Sequence, residues 1–275
     1  MEVFNRIFGT TTDGKEVRLH SMWNGRVQLD VIDYGARIIR MCAPDMDGSI
    51  TDVTIGYDGI GAYADDYSGL GGIVGRSGGS NTDILRICDD VVWNTVSAGE
   101  EGVVFRTTVP EEVLPGKVSV TVRYSITDGN GILVEYDACS EDETVLGLSN
   151  RLHLNLDGPD SCSLTEHMAR VGSEELDLDT PSCGSTFLVE GDGLHTVAYL
   201  ESKRSGISMD ILSEGSTVMV DTSDLHGKKG RCGIEYTPGS AVGIVILNEP
   251  VPDADGHVHS MTEYRFRDTY PDIVW

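Results

Sequence analysis

Short runs in which apolar and polar residues alternate recur along the whole chain. This pattern is typical of half-buried β-strands, because successive side chains of a strand point to opposite faces of the sheet. No stretch has the longer period of an amphipathic helix. The predicted strands are Arg26–Ile32, Arg37–Cys42, Val103–Val109, Lys117–Ile126, Ile132–Ala138, Ser216–Asp221, Gly243–Leu247 and Ser260–Phe266.

Turn signals separate these runs. Asn-Gly occurs at position 24 and Asp-Gly at positions 47, 128 and 157, and both dipeptides favour tight hairpin turns. No linker, internal repeat or low-complexity tract divides the chain. The sequence therefore predicts an all-β fold, a large antiparallel β-sandwich, in which residues 1–275 form one domain.

Charge narrows the range of partners. The chain has 45 acidic and 20 basic residues, for a net charge of -25. That charge repels phosphate backbones and anionic membrane surfaces, so we expect neither nucleic acid nor a membrane as partner. The N-terminal segment does not resemble a secretory signal, and no apolar run approaches the ~20 residues that cross a bilayer. The six cysteines include no CxxC pair, and we expect a cytoplasmic protein with reduced thiols.

The segment SNRLHLNLDG, residues 149–158, is the first candidate for a functional site. In a strand, Arg151, His153 and Asn155 would share one face, and the three intervening leucines would pack into the core. On the residues alone, the polar face fits either a ligand pocket or a solvent-exposed strand.

Two other segments are also candidates. Gly71–Asn81 is rich in glycine but lacks the lysine of a phosphate-binding loop. It is interpreted either as an irregular turn or as backbone lying close to a ligand, with Arg76 reaching in. Gly243–Pro250 is an apolar strand followed by Glu249. Burial there would raise the pKa of this carboxyl toward the range of a general base, and the alternative is an ordinary glutamate in solvent.

A metal site is not predicted. His257 and His259 would share a strand face, but no third ligand follows at a telling spacing. A surface strand is the preferred interpretation of this pair.

Taken in order, several segments resemble the aldose 1-epimerase (galactose mutarotase) family. The most specific is residues 31–63, with a Tyr-Gly-Ala turn, a Pro-Asp-x-x-Gly hairpin and an Asp-Val-x-x-Gly-Tyr strand. GGIVGR, SNRLHLNLDG, GDGLHTVAYL, EYTPG and ILNEP follow in the family's order. The resemblance covers nearly the whole chain and implies a galactose mutarotase-like supersandwich with a sugar pocket on one concave face.

The resemblance also implies a chemistry. Members of that family interconvert the α and β anomers of an aldose without a cofactor or metal. A glutamate takes the proton of the C1 hydroxyl, and a histidine protonates the ring oxygen, so that the ring opens, rotates and closes. Glu249 matches the base. His195 matches a histidine that is chiefly structural in the family, and we count it among the candidate substrate-binding residues.

Other positions depart from the family pattern. Arg151 stands where the family has its acid histidine, and a guanidinium stays protonated near neutral pH. Leu194 stands at the substrate-binding aspartate, and Ile234 at a glutamine. The family's asparagine–arginine pair falls on Gly79 and Ser80, and its second histidine loop falls in a deletion between Asn81 and Trp93.

The departures suggest a rebuilt site. His153, ~7 Å further along the same strand face, is the candidate acid. Arg151 predicts an anionic sugar such as a uronate or a sugar phosphate, with Arg76 and Asn155 as additional substrate-binding residues.

Three functional hypotheses follow. The first is an epimerase-like isomerase that uses Glu249 as base and His153 as acid. The second is a catalytically inactive sugar-binding relative. The third is proton abstraction next to a carbonyl, with Arg151 stabilising an enolate. Fold does not choose among them, because one scaffold hosts many chemistries.

Overall fold

The computed structural model describes residues 1–66, 68–77, 85–86, 88–109, 111, 117–140, 146–182, 184–222, 225, 227–247 and 256–267. Within these residues the regular structure is almost entirely β-strand. One short α-helix, α1 (Ile60–Ala64), and one 3-10 turn, Arg231–Gly233, are the helical elements of this part of the chain. The predicted all-β class is confirmed.

The strands are numbered in chain order. The first twelve are β1 (Glu2–Thr10), β2 (Glu16–Trp23), β3 (Gln28–Ile32), β4 (Arg37–Pro44), β5 (Ile50–Asp52), β6 (Ile73–Ser77), β7 (Leu85–Arg86), β8 (Asn94–Gly99), β9 (Gly102–Val109), β10 (Val118–Ile126), β11 (Gly131–Ser140) and β12 (Leu146–Asn150). The others are β13 (Leu152–Leu154), β14 (His167–Val171), β15 (Glu174–Leu176), β16 (Ser185–Leu188), β17 (His195–Ser202), β18 (Ser208–Ser213), β19 (Thr217–Asp221), β20 (Lys228–Lys229), β21 (Glu235–Tyr236), β22 (Val242–Leu247) and β23 (His257–Phe266).

All of the strands predicted from alternation are present, with ends that differ by no more than three residues. The alternation has its expected physical basis. Along β10 the apolar residues Val118, Val120 and Val122 are buried, while the residues between them are partly exposed. The turns predicted at positions 24, 47 and 128 each join two paired strands, and Asn130 takes the left-handed backbone, φ 60°, between β10 and β11. Asp157-Gly158 lies in a turn but not in a hairpin, because β13 pairs with β22 while β14 pairs with β15 and β17.

The strands form antiparallel sheets of different sizes. The largest has the order β15-β14-β17-β18-β23-β11-β10-β9-β8, and β1 to β5 form a meander in chain order. A four-stranded sheet has the order β13-β22-β19-β16, beside a three-stranded sheet β12-β6-β7 and the short pair β20-β21. The predicted antiparallel arrangement is confirmed.

One hydrophobic core joins the larger sheets. It includes Val31 from β3, Val120 from β10, Leu154 from β13 and Ile244 from β22, all nearly inaccessible to solvent. The Ser149 hydroxyl accepts a hydrogen bond of 3.1 Å from the Ile246 amide, which ties β12 to β22. The four-stranded sheet therefore rests on the common core through one face and presents its other face outward.

Part of the glycine-rich segment Gly71–Asn81 is a strand, and residues 78–81 lie outside the described residues. Residues 73–77 form β6 and pair with β12 and β7. Gly71 has φ +69°, and a Cβ atom there would lie 1.9 Å from the Ile38 carbonyl oxygen. The glycine is therefore needed because two backbone segments of the protein cross at this point.

The side-chain amide of Asn150 fixes the end of β12, just before the chain enters β13 of the four-stranded sheet. Asn150 is inaccessible to solvent, and its Oδ1 accepts a 2.8 Å hydrogen bond from the Tyr136 hydroxyl. Its Nδ2 donates to the Gly71 carbonyl at 2.8 Å and to the Tyr124 hydroxyl at 3.2 Å. One side chain thus joins β12, two core strands and the glycine crossing.

No helix in the described ranges is long and apolar enough to cross a membrane. Five cysteines in those ranges are free thiols: Cys42, Cys88, Cys139, Cys162 and Cys232.

We expect Asn150→Ala to lower the free energy of unfolding by roughly 2–4 kcal/mol, because it removes three buried hydrogen bonds and leaves the Tyr136 hydroxyl without its acceptor. Chemical denaturation measures the change. Tyr136→Phe removes one of these bonds and should cost about 1–2 kcal/mol. An Asn150→Ala cost no greater than that of Tyr136→Phe would contradict the central role of the amide.

Candidate functional site

Three adjacent strands of the four-stranded sheet bring the candidate residues into one row. In the antiparallel register, His153 of β13 is opposite Gly243 of β22, and Gly243 is opposite Asp221 of β19. Residues opposite one another point to the same face of a sheet. The row therefore presents, side by side, an imidazole, a glycine without a side chain, and a carboxylate.

This row lies in a cleft on the outward face. The polar side chains that line the cleft are Arg151, His153 and Asp221. Among the described residues, the rest of the lining is glycine or apolar: Gly184, Met219, Val220, Gly243 and Val245.

The strand alternation predicted for residues 151–156 is confirmed. Leu152, Leu154 and Leu156 all belong to the hydrophobic core. Arg151 and His153 line the cleft on the opposite face. The apolar side of β13 therefore fixes the direction of its polar side.

The backbone of Arg151 is fixed at the point where β12 passes into β13. The Gly71 amide donates to the Arg151 carbonyl at 2.7 Å, and the Arg151 amide donates to the Gly72 carbonyl at 3.0 Å. The glycine-rich segment thus acts on the cleft indirectly, by holding the chain from which the Arg151 side chain extends.

Gly243 makes room for the imidazole of His153. A Cβ atom at Gly243 would lie 2.8 Å from His153 Nε2 and 3.1 Å from Cδ2. Real side chains essentially never approach so closely, so the ring occupies space that any other residue would claim. His153 therefore leans over β22, toward the strand that carries Asp221.

An apolar patch borders the polar row. Val245 and Leu247 of β22 form a small buried cluster with Val74 of β6, and Met219 packs against it. A pyranose has apolar C–H faces as well as hydroxyl edges. The cleft offers both kinds of contact.

Asn155 is not among the residues that line the cleft in the described part of the chain. It is inaccessible to solvent, and its Nδ2 donates to the carbonyls of Ser163 at 3.1 Å and Ser240 at 2.7 Å. Its Oδ1 accepts from the Asp157 amide at 3.0 Å. In this structure the amide shapes the turn that follows β13.

The next turn holds a buried histidine. The Leu156 amide donates to His167 Nε2 at 2.9 Å, so this nitrogen is an acceptor. His167 Nδ1 lies 3.8 Å from Asp157 Oδ2. Burial lowers the pKa of His167, against the opposing pull of the Asp157 carboxylate.

His195 lies at the start of β17, in the nine-stranded sheet, and does not line the cleft. Its Nδ1 is 2.9 Å from the Gly193 carbonyl, and its ring packs against Gly191, where a Cβ atom would be 2.2 Å from Cδ2. The contact of His195 with substrate stays a prediction.

Two of the predicted site residues have side chains that the structure does not describe. Arg76 lies on β6, but its side chain is outside what the structure describes. Glu249 is also outside the described residues and follows the last residue of β22, Leu247, by two positions. Their roles stay predictions.

Sequence reasoning overlooked Asp221. It ends the predicted strand Ser216–Asp221, where a terminal carboxylate has no distinguishing pattern. Asp221 is recognised as a site residue only from the pairing of β19 with β22, and a short stretch of sequence does not reveal that pairing.

His257 and His259 lie on an exposed face of β23, as predicted, with His259 Nδ1 2.9 Å from Asp137 Oδ1. Within the described ranges, no group of three or more His, Cys, Asp and Glu side chains is arranged to hold a metal ion.

We expect Gly243→Ala to displace the His153 ring and to weaken ligand binding in the cleft by about tenfold or more, because the new methyl would stand only 2.8 Å from Nε2. The histidine ring resonances and sugar titrations by NMR would report both effects. Gly99→Ala is the matched control, since a Cβ atom there meets nothing within 4 Å. Unchanged His153 resonances in Gly243→Ala would contradict the close contact.

We expect His167 to lower the free energy of unfolding as the pH falls below ~6.5, because unfolded His167 takes up a proton before the buried side chain does. Burial raises the pKa of Asp33 to about 6, which acts in the opposite direction, so the contribution of His167 is read from the difference between wild type and variant. His167→Gln retains an acceptor for the Leu156 amide and should flatten this dependence, as measured by denaturation at pH 8 and pH 5.5. Burial lowers the pKa of His20 as well, so part of the slope will remain. An equal slope in wild type and His167→Gln would contradict the assignment.

Relatives by sequence are sugar epimerases. The galactose mutarotase of Bos taurus is 25% identical over 200 residues, which cover 63% of this chain and 58% of that protein. The aldose 1-epimerase of Escherichia coli K12 is 23% identical over 212 residues, covering 68% of this chain and 60% of that protein. The chain thus spans less than two thirds of the length of these relatives. No family model matches it.

Solved structures share the fold. The GalM/aldose epimerase homologue from C. elegans superimposes with a TM-score of 0.75 at 19% identity, covering 90% of this chain and 98% of that one. The galactose 1-epimerase from Lactobacillus acidophilus NCFM gives 0.73 at 12% identity, covering 97% and 98%. The resemblance seen in the sequence is confirmed: the chain is similar to galactose mutarotases and aldose 1-epimerases and has the fold of the aldose epimerase homologues.

Proposed function

We propose that this protein is an aldose 1-epimerase-like isomerase that interconverts the anomers of a sugar by acid and base catalysis. The observation that supports this most directly is the cleft in which His153 and Arg151 meet on the outward face of the four-stranded sheet. The residues of the cleft combine hydrogen-bonding and apolar contacts, which suit the hydroxyl edges and C–H faces of a sugar.

Each proton transfer of the proposed reaction is assigned to one residue. Glu249 takes the proton of the C1 hydroxyl while His153 gives a proton to the ring oxygen, and the bond between C1 and that oxygen breaks. Rotation about the C1–C2 bond turns the aldehyde, and the two proton transfers then run in reverse. Histidine suits the acid role because its ordinary titration lies near neutral pH.

Arg151 has a positioning role in this proposal. A guanidinium donates hydrogen bonds in a fixed planar fork and does not release its proton near neutral pH. It would hold an oxygen-rich part of the sugar, with a carboxylate or phosphate bound most strongly. Arg76, Asn155 and His195 remain candidate binding residues of the same proposal.

A specific observation favours the alternative, a sugar-binding protein without turnover. Leu194, at the position of the family's substrate-binding aspartate, is 38% exposed and does not line the cleft. Arg151 occupies the position of the family's acid. A pocket with these changes would bind a sugar even where the reaction itself is lost.

We also propose that the protein acts in the cytoplasm, on a small-molecule sugar, and without a cofactor. Its charge of -25 keeps such a protein soluble and disfavours nucleic acid as a partner.

The first expected result is faster anomer exchange, measured by NMR with and without the protein. Glucose, galactose, glucuronate and glucose 6-phosphate form the test set. Acceleration of any of them supports the isomerase. Binding without acceleration of any would reject turnover and leave the binding alternative.

The second expected result concerns the assigned groups. Glu249→Gln and His153→Gln should each lower kcat by about 10²–10⁴-fold with sugar binding retained, because each removes one proton-transfer group. Arg151→Leu should weaken an anionic sugar at least tenfold more than a neutral one. Full activity in Glu249→Gln, or equal loss for both sugars in Arg151→Leu, would contradict the corresponding role.

A further inference from the structure

The cleft contains a carboxylate that has no part in the acid and base roles above. Asp221 is the last residue of β19 and lines the cleft together with Arg151 and His153. Its position follows from the register, which sets it opposite Gly243 with His153 on the far side of that glycine.

The glycine between Asp221 and His153 lets the imidazole lie over β22. The point where a Gly243 Cβ would stand lies 2.8 Å from His153 Nε2 and 3.0 Å from the Asp221 carbonyl oxygen. The His153 ring therefore lies next to the strand that carries Asp221, and neighbouring strands are only ~5 Å apart. A sugar that contacts the imidazole would also lie close to Asp221.

The charged groups of the cleft have opposite hydrogen-bonding capacities. An ionised carboxylate accepts hydrogen bonds and cannot donate them, whereas a guanidinium donates and cannot accept. Asp221 therefore favours hydroxyl or ammonium groups, and Arg151 favours ring oxygens, hydroxyl oxygens or anionic groups. Among the lining residues of the described cleft, Arg151 and Asp221 balance in formal charge.

We propose that Asp221 is a substrate-binding residue that determines specificity. It accepts hydrogen bonds from sugar hydroxyls, fixes the orientation of the ring against Arg151, and favours an amino sugar over a sugar that bears an acidic group on that side. The inference rests on the proposed function in one respect, that the ligand of the cleft is a sugar.

The Asp221 carboxylate and the Arg151 guanidinium should affect the binding of charged sugars in opposite directions. Removal of the carboxylate should weaken ammonium-bearing sugars most and neutral ones less, and should spare or strengthen anionic ones. Removal of Arg151 should act in the opposite direction. A residue that merely maintains the sheet would affect all sugars alike.

Equilibrium binding of glucosamine, glucose and glucuronate by NMR titration tests the assignment without reference to turnover. In Asp221→Asn, which keeps the size and polarity of the side chain, we expect the ratio of the glucosamine to the glucuronate dissociation constant to rise at least tenfold. In Arg151→Gln the same ratio should fall. Asp128→Asn removes an equal charge in an exposed turn and should leave it unchanged.

The outcomes distinguish this inference from the proposed function. A ratio that does not move in Asp221→Asn, in a protein that still binds the sugars, would overturn the role of Asp221 alone. Sugar binding with the expected ratios but without anomer exchange would support Asp221 and reject the isomerase. No binding of any of the three sugars to the wild-type protein would overturn both.

Discussion

The pairing of β13 with β22 is the constraint on which the candidate site depends. β13 has three residues, and its register places His153 opposite Gly243. A slip of one residue would exchange the two faces of the strand, with the imidazole entering the core and leucines entering the cleft. The burial of Leu152 and Leu154 opposes that slip, so the hydrophobic effect on one face sets the chemistry of the other.

Buried polar groups fix the segments that adjoin β13. Asn150 ends β12 one residue before Arg151 and binds the glycine crossing and two tyrosine hydroxyls. Nearby, the buried Arg37 donates to the carbonyls of Leu70 at 2.7 Å and Asp89 at 2.8 Å. These bonds give partners to groups that would be costly to bury alone, and they fix the segments next to the cleft. The buried Arg231 likewise pairs with Asp52 of β5 and donates to the Thr54 carbonyl.

The electrostatics of the cleft differ from those of the whole protein. The chain carries a net charge of -25, which repels anions at long range. Arg151 and Asp221 place a cation and an anion in the lining of the same cleft. In the proposed function, an anionic sugar binds in the orientation that presents its acid to Arg151 and not to Asp221. Under that proposal the orientation of the ligand and its charge are linked.

The sequence by itself determined the fold class, most strand positions and the two faces of residues 151–156, because alternation and turn dipeptides are local signals. It also carried the resemblance to sugar epimerases that the comparisons confirm. Tertiary structure decided which strands are neighbours, and hence that Gly243 lies beside His153 and that Asp221 completes the row. It also drew Asn155 into a turn and set His195 in another sheet, although both were predicted to belong with the site. Such choices depend on pairing between segments about 20–90 residues apart, and no short window of sequence encodes that register.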